Sequence, residues 1–167
     1  MIEIPSNTLR EAGALLNRLR PKRAVLPVLN YVLAEFDPLH GIRLTVTSLD
    51  QWLSIRVPAT QPAGFPEPVG PESLLIPGEA FEAALKADRG TVIGLTRKGP
   101  RTSRRIRLRM VRQGVQVEIT HPTMEPDEFP PCPEVPAEAR PTVLPGRAFE
   151  MMAIVATCSS KDARSRK

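Results

Sequence analysis

The chain has 167 residues, 41% apolar and 25% charged, with a formal net charge of +5. That length fits one domain and a piece of another, and the balance excludes a wholly disordered chain. With no run of 18 apolar residues, and with Glu3, Arg10, Glu11, Arg18 and Arg20 interrupting the first twenty, neither a transmembrane helix nor a secretory leader is expected, and the expected location is cytoplasmic.

The spacing of Leu9, Ala12, Leu16 and Leu19 predicts a helix over 7–20, with Ser6 or Asn7 as its cap, Glu11 in its early turns and Pro21 as its stop. Arg10, Ala14, Asn17 and Arg18 fall on its other side. Strands follow at 31–36, at 42–47 with clean alternation, and at 52–57, the first two joined by the turn residues Asp37 to Gly41. A short strand at 74–76 leads through Pro77 and Gly78 into a second helix, Glu79 to Ala87, with Phe81, Ala84 and Leu85 inward. Residues 92–96, 104–111 and 115–120 read as a three-stranded meander with Gln113-Gly114 as its last turn. A last helix is expected from Gly146 to Cys158.

Short turns between consecutive strands imply antiparallel pairing. The expected class is therefore α+β, two helices packed on one side of a mostly antiparallel sheet. Six of the 19 prolines fall between Pro58 and Pro77, and eight between Pro122 and Pro145. Proline removes a backbone donor, so both stretches read as connections. The expected division is a domain at 1–122, a proline-rich linker at 123–141, and the start of a second domain at 142–167, too short to bury a core of its own.

Catalytic chemistry is hard to find. His40 and His121 read as surface loop residues, and Cys132 and Cys158 as inert thiols, because no metal-ligand spacing joins them. Glu125, Asp127 and Glu128 suggest a metal-dependent nuclease only as a remote reading, since they lie among prolines. No metal, cofactor or catalytic residue is expected. The basic excess is mostly arginine, 18 against 5 lysines, which suits phosphate and carboxylate. In a strand, Arg105, Arg107 and Arg109 share one face and Ile106, Leu108 and Met110 the other.

Several short motifs, in order, resemble the bacterial DNA polymerase III beta subunits, the sliding clamps. They are Arg23 with Leu26-Pro27-Val28-Leu29, the stretch Gly41 to Thr47 with Leu49-Asp50, and Leu75-Ile76-Pro77 with Phe81. Asp127-Glu128-Phe129-Pro130 and Leu144-Pro145 with Lys161 to Arg164 complete the series. Ser48 stands where that family usually has Asp. The resemblance implies a DNA-clamp fold and a non-catalytic processivity factor: a homodimeric ring round duplex DNA that tethers DNA polymerase III and is placed by a clamp loader. It implies DNA contacts at Arg23 and Arg164, to which the helix and its flank add Lys22, Arg10 and Arg18. It implies a subunit junction on the side of Arg105, Arg107 and Arg109, whose strand is expected to be an open edge. The family has three similar domains, so this chain alone is expected not to close a ring. The alternative is a stand-alone clamp-derived interaction module.

Overall fold

The computed structural model describes residues 1–21, 24–62, 72–98 and 105–133. A strand β1 (Ile2–Pro5) runs directly into helix α1 (Ser6–Leu19). The order then continues β2 (Tyr31–Asp37), β3 (Gly41–Thr47), β4 (Trp52–Val57), β5 (Glu72–Pro77), α2 (Gly78–Ala84), β6 (Val92–Lys98), β7 (Arg105–Arg112) and β8 (Val115–Pro122). Single 3-10 turns occupy Pro27–Asn30 and Pro126–Glu128. The α+β class holds, but the strands divide between two four-stranded antiparallel sheets, ordered β1-β6-β7-β8 and β4-β3-β2-β5. Strand β1 alternates, with Ile2 and Ile4 buried and Glu3 and Pro5 not, but four residues running straight into a helix are too few for the pattern to stand out in the sequence.

Helix α1 buries the expected stripe of Leu9, Ala12 and Leu16, and Leu19 packs beside it. Neither Ser6 nor Asn7 is its cap. Pro5 holds that position, and Ser6 instead donates its Oγ to Asp88 O at 2.7 Å while Asn7 Oδ1 accepts from Gly90 N at 3.2 Å. Long-range bonds to the 88–91 loop thus replace a local cap. Glu11 lies beyond the first turn, which holds no acidic residue. At the other end Arg20 leaves the helix with ψ 118, the extended conformation that a following proline imposes. Helix α2 is shorter than expected; after Ala84 the chain tightens, with Lys86 N on Ala83 O and Ala87 N on Ala84 O, both at 3.1 Å.

The two helices lie side by side. A Cβ on Gly13 would stand 2.4 Å from Leu85 Cδ2, so a larger residue there fits only if the Leu85 side chain moves aside. Both sheets and both helices share one core, in which Leu16, Phe36, Ile42, Leu44, Phe81, Ile93, Leu95, Ile106, Leu108 and Met110 are all below 2% exposed. The sheets also meet at one edge, where Glu3 of β1 and Thr60 exchange backbone bonds of 2.7 and 2.9 Å. The β7–β8 turn is Gln113-Gly114, both at positive φ (54 and 74), the backbone of a tight two-residue hairpin.

A second, smaller cluster forms where Val28, Leu29, Leu75 and Phe129 are buried together. Leu75 alternates with Leu74 and Ile76 of the main core, so β5 is apolar on both faces. Thr123 Oγ1 donates to Leu75 O. Thr123, Met124 and Phe129, in the stretch expected to begin a linker, thus pack on this domain, and one compact unit runs from Met1 to Cys132. The remainder, Pro133–Lys167, is a separate unit, and the helix expected at 146–158 lies outside the described residues. Among the described residues no helix is long and apolar enough to cross a membrane.

Candidate nucleic-acid and subunit surfaces

The cations expected to meet DNA sit in different circumstances. Arg18, in the last turn of α1, is exposed. Arg10, expected on the solvent side of the same helix, is half-buried, and its Nη2 donates to Ala87 O. A carbonyl just past α2 is a natural partner for a cation, because the last helical carbonyls are unpaired. Lys22, Arg23 and Arg164 lie outside the described residues. Of the expected DNA contacts, the structure thus presents Arg18 freely and turns Arg10 partly inward.

Sequence reasoning missed the most constrained cation. Arg20 is 5% exposed and its guanidinium is saturated. Nε and Nη2 donate to Asn17 Oδ1 at 3.2 and 3.1 Å, and Nη1 donates to Asn30 O at 3.3 Å and to Asn30 Oδ1. Nη2 also meets Glu82 Oε1 at 2.6 Å. Gly78 leaves the space: a Cβ there would stand 2.0 Å from Arg20 Nη1 and 2.7 Å from Asn30 O. One side chain thereby joins the end of α1, the 3-10 turn before β2, and α2. The signal was present, since position 20 follows Leu16 by four and extends the buried stripe.

The arginines of β7 occupy the outward face of their sheet. Arg109 lies between Gly94 and Glu118, Arg107 between Thr96 and Thr120, and Arg105 between Lys98 and Pro122. Glu118 is ion-paired with Arg107, whose Nε lies 3.0 Å from Oε1 and whose Nη1 donates to Oε2 at 3.4 Å, and it accepts Arg109 Nη2 at 3.5 Å, while Arg105 and Lys98 stay exposed. The expectation that this strand is an open edge is corrected: β7 pairs on both sides, with β6 and β8. A polar–apolar alternation marks a strand with one wet face but does not mark an edge, and the hairpin at Gln113-Gly114 adds one more strand outside it. The edge is β8, where Val115 is 62% exposed and Val117 and Ile119 are half-buried.

Asp88 ties the two surfaces together. Its Oδ1 accepts Gln113 N at 2.9 Å and its Oδ2 accepts Gly114 N at 2.8 Å, so a carboxylate from the end of the helical segment caps the β7–β8 hairpin. Those two backbone donors, with a smaller contribution from Arg10, hold its pKa below the ordinary aspartate value.

The remaining polar candidates are placed without a site. His40 is in a turn, with Nδ1 on Asp37 Oδ2 at 2.8 Å. His121, expected in a loop, lies in β8 opposite Ile106. Cys132 is an exposed free thiol, and Cys158 lies outside the described residues. Glu125 and Glu128 close a 3-10 turn on each other, Glu125 N donating to Glu128 Oε1 at 3.0 Å. Among the described residues no group of acidic, histidine and cysteine side chains is arranged to hold a metal.

No family model matches the sequence, and comparison with curated proteins finds no match. Solved structures do match. The beta subunit of DNA polymerase from Streptococcus pyogenes is 17% identical, with a TM-score of 0.62 over 83% of this chain and 34% of its own. A DNA polymerase sliding clamp from Caulobacter crescentus is 16% identical, with a TM-score of 0.64 over 80% of this chain and 32% of its own. A sliding clamp, DNA polymerase III subunit beta, from Pseudomonas aeruginosa is 21% identical, with a TM-score of 0.64 over 82% and 33%. This chain spans about a third of the length of those clamps. At such identities the likeness is one of fold, and the fold of this chain is that of the bacterial DNA polymerase III beta sliding clamps.

Proposed function

We propose that this chain is the first domain, with the start of a second, of a DNA polymerase III beta sliding clamp, and serves DNA replication as part of a processivity factor. The observation that carries the reading is the fold likeness over about four-fifths of the chain, reached independently of the short motifs from Arg23 to Phe129. In this reading the protein performs no chemistry. It contributes to a homodimeric ring on duplex DNA, placed by a clamp loader, and tethering the polymerase turns each re-association into an intramolecular event. The compartment is the cytoplasm.

A sliding contact must hold phosphate without reading bases. The helical side carries Arg18, followed in sequence by Lys22 and Arg23, and offers no aromatic platform for base stacking. Arg164 would add a contact from the second domain. The subunit junction is assigned to the β8 edge, through backbone pairing, with Arg105, Arg107 and Arg109 behind it as complements to an acidic partner surface.

The test is duplex binding followed by fluorescence anisotropy across salt. Expected are affinities that agree within about twofold for unrelated sequences, with log K falling by about 0.9 per phosphate neutralised for each decade of salt. Replacing Arg23 or Arg18 by Ala lowers that slope by about one and weakens every duplex alike. Binding that survives high salt, or that favours one sequence strongly, overturns the reading.

A further inference from the structure

Helix α2 poses a difficulty for any surface meant to lie near phosphate. Its exposed charges are Glu79 and Glu82 with Lys86 just beyond it, an acidic excess. Arg20 removes that excess. Its side chain is 3% exposed while that of Glu82 is 46% exposed, and the two meet at 2.6 Å. The arginine therefore cannot reach phosphate itself, because every edge of its fork is committed to Asn17, Asn30 or Glu82. Its charge nevertheless stands directly beneath a carboxylate on the surface that the clamp reading assigns to DNA.

We propose that Arg20 is a positioning residue for DNA binding: it acts through Glu82, cancelling that carboxylate's field and holding it against the end of α1. The inference rests on the DNA-binding reading above. The geometry around it is fixed by three residues. Gly78 clears the volume, Asn30 supplies two acceptors from the 3-10 turn just before β2, and Asn17 supplies one from the preceding helical turn. Asn17 and Asn30 take four of the five guanidinium donors, and Glu82 supplies the anionic partner of this buried charge. The pairing acts on both charges at once: it gives the buried guanidinium its counter-ion, and it offsets one negative charge on the α2 surface.

The experiment measures duplex affinity by anisotropy at about 50 mM salt, where phosphate contacts are least screened. Wild type is compared with Arg20→Met, Glu82→Gln, the double variant, and Arg20→Lys, each first checked by thermal melting. Arg20→Met is expected to weaken binding about threefold and Glu82→Gln to tighten it about twofold, with the double variant returning to within about twofold of wild type. Arg20→Lys keeps the charge and is expected to hold wild-type affinity even where its melting temperature falls.

A purely structural arginine gives a different pattern. The bonds to Asn17 and Asn30 remain lost in the double variant, so Glu82→Gln would not restore binding, and that result overturns the proposal. So does Arg20→Lys weakening binding while still folded. Should Arg20→Met not fold, Arg20→Lys against Arg20→Lys/Glu82→Gln gives the same reading, the latter binding tighter. If wild type itself does not bind duplex, the DNA reading falls and this proposal falls with it; if wild type binds and the variants do not separate by charge, only this proposal falls.

Discussion

Arg20 and Arg109 are the same side chain in opposite circumstances. The first is 3% exposed and fully bonded at the junction of α1, α2 and the approach to β2. The second is 45% exposed on an outward sheet face, sharing Glu118 with Arg107 at 3.5 Å. A sequence counts both as one positive charge. Structure separates them by what their loss would leave behind: unpaired polar groups in one region, a hydrated carboxylate in the other. The helical side thus uses charge as architecture and the sheet face wears it as surface.

The sharpest way to break this contrast is Gly78→Ala. The added Cβ falls 2.0 Å from Arg20 Nη1, 2.5 Å from Asn30 Oδ1 and 2.7 Å from Asn30 O, and the last is backbone that yields little. Overpacking of this kind costs up to about 3 kcal/mol. A urea unfolding midpoint close to that of wild type would mean that the cluster is soft, and that Arg20 resembles Arg109 after all. Arg20→Met comes next, at about 2 kcal/mol, because Asn17 and Asn30 lose their partner while Glu82, half-exposed, can turn to water. The same urea titration measures it.

Much of this was legible in advance. The stripe Leu9, Ala12, Leu16 marked α1, the alternation of 42–47 and 104–111 marked two strands, the second found at Arg105–Arg112, and Gln113-Gly114 marked a hairpin, because each signal is local. What escaped depended on partners distant in sequence. Asp88 meets Gln113 and Gly114 across 25 and 26 residues, and Arg20 meets Glu82 across 62. The division into two sheets escaped for the same reason, since β1 pairs with β6 about ninety positions away. The edge was misplaced by one strand because alternation reports which face is wet and says nothing of what lies beside it. Arg18 was placed correctly on the exposed side of α1, whereas Arg10 was drawn inward by a carbonyl that no local pattern announces.

Asp88 joins the two regions and supplies a pH-dependent test of their coupling. Its folded pKa lies below its unfolded value, so it contributes stability that is present above the ordinary aspartate pKa of about 4 and is lost as pH falls through the folded pKa. Asp88→Asn puts an amide donor against one of the two backbone donors it now accepts. The variant should melt below wild type at neutral pH, by less than Arg20→Met, and the two melting curves should converge in acid. Parallel curves from neutral to acid pH would show that the carboxylate charge is not what holds the hairpin.

The smallest effect is expected on the sheet face, and its smallness is the point. Arg109→Ala removes the longest arginine contact to Glu118, 3.5 Å against 3.0 and 3.4 Å for Arg107 Nε and Nη1, and leaves that carboxylate paired. An exposed ion pair of this kind is worth under about 0.5 kcal/mol after screening and side-chain entropy. The unfolding midpoint should therefore stay within error of wild type, and adding Glu118→Gln should show little coupling between the two positions. A loss of more than about 1 kcal/mol in the isolated chain would erase the contrast with Arg20, because it would make this face as much a part of the architecture as the helical junction.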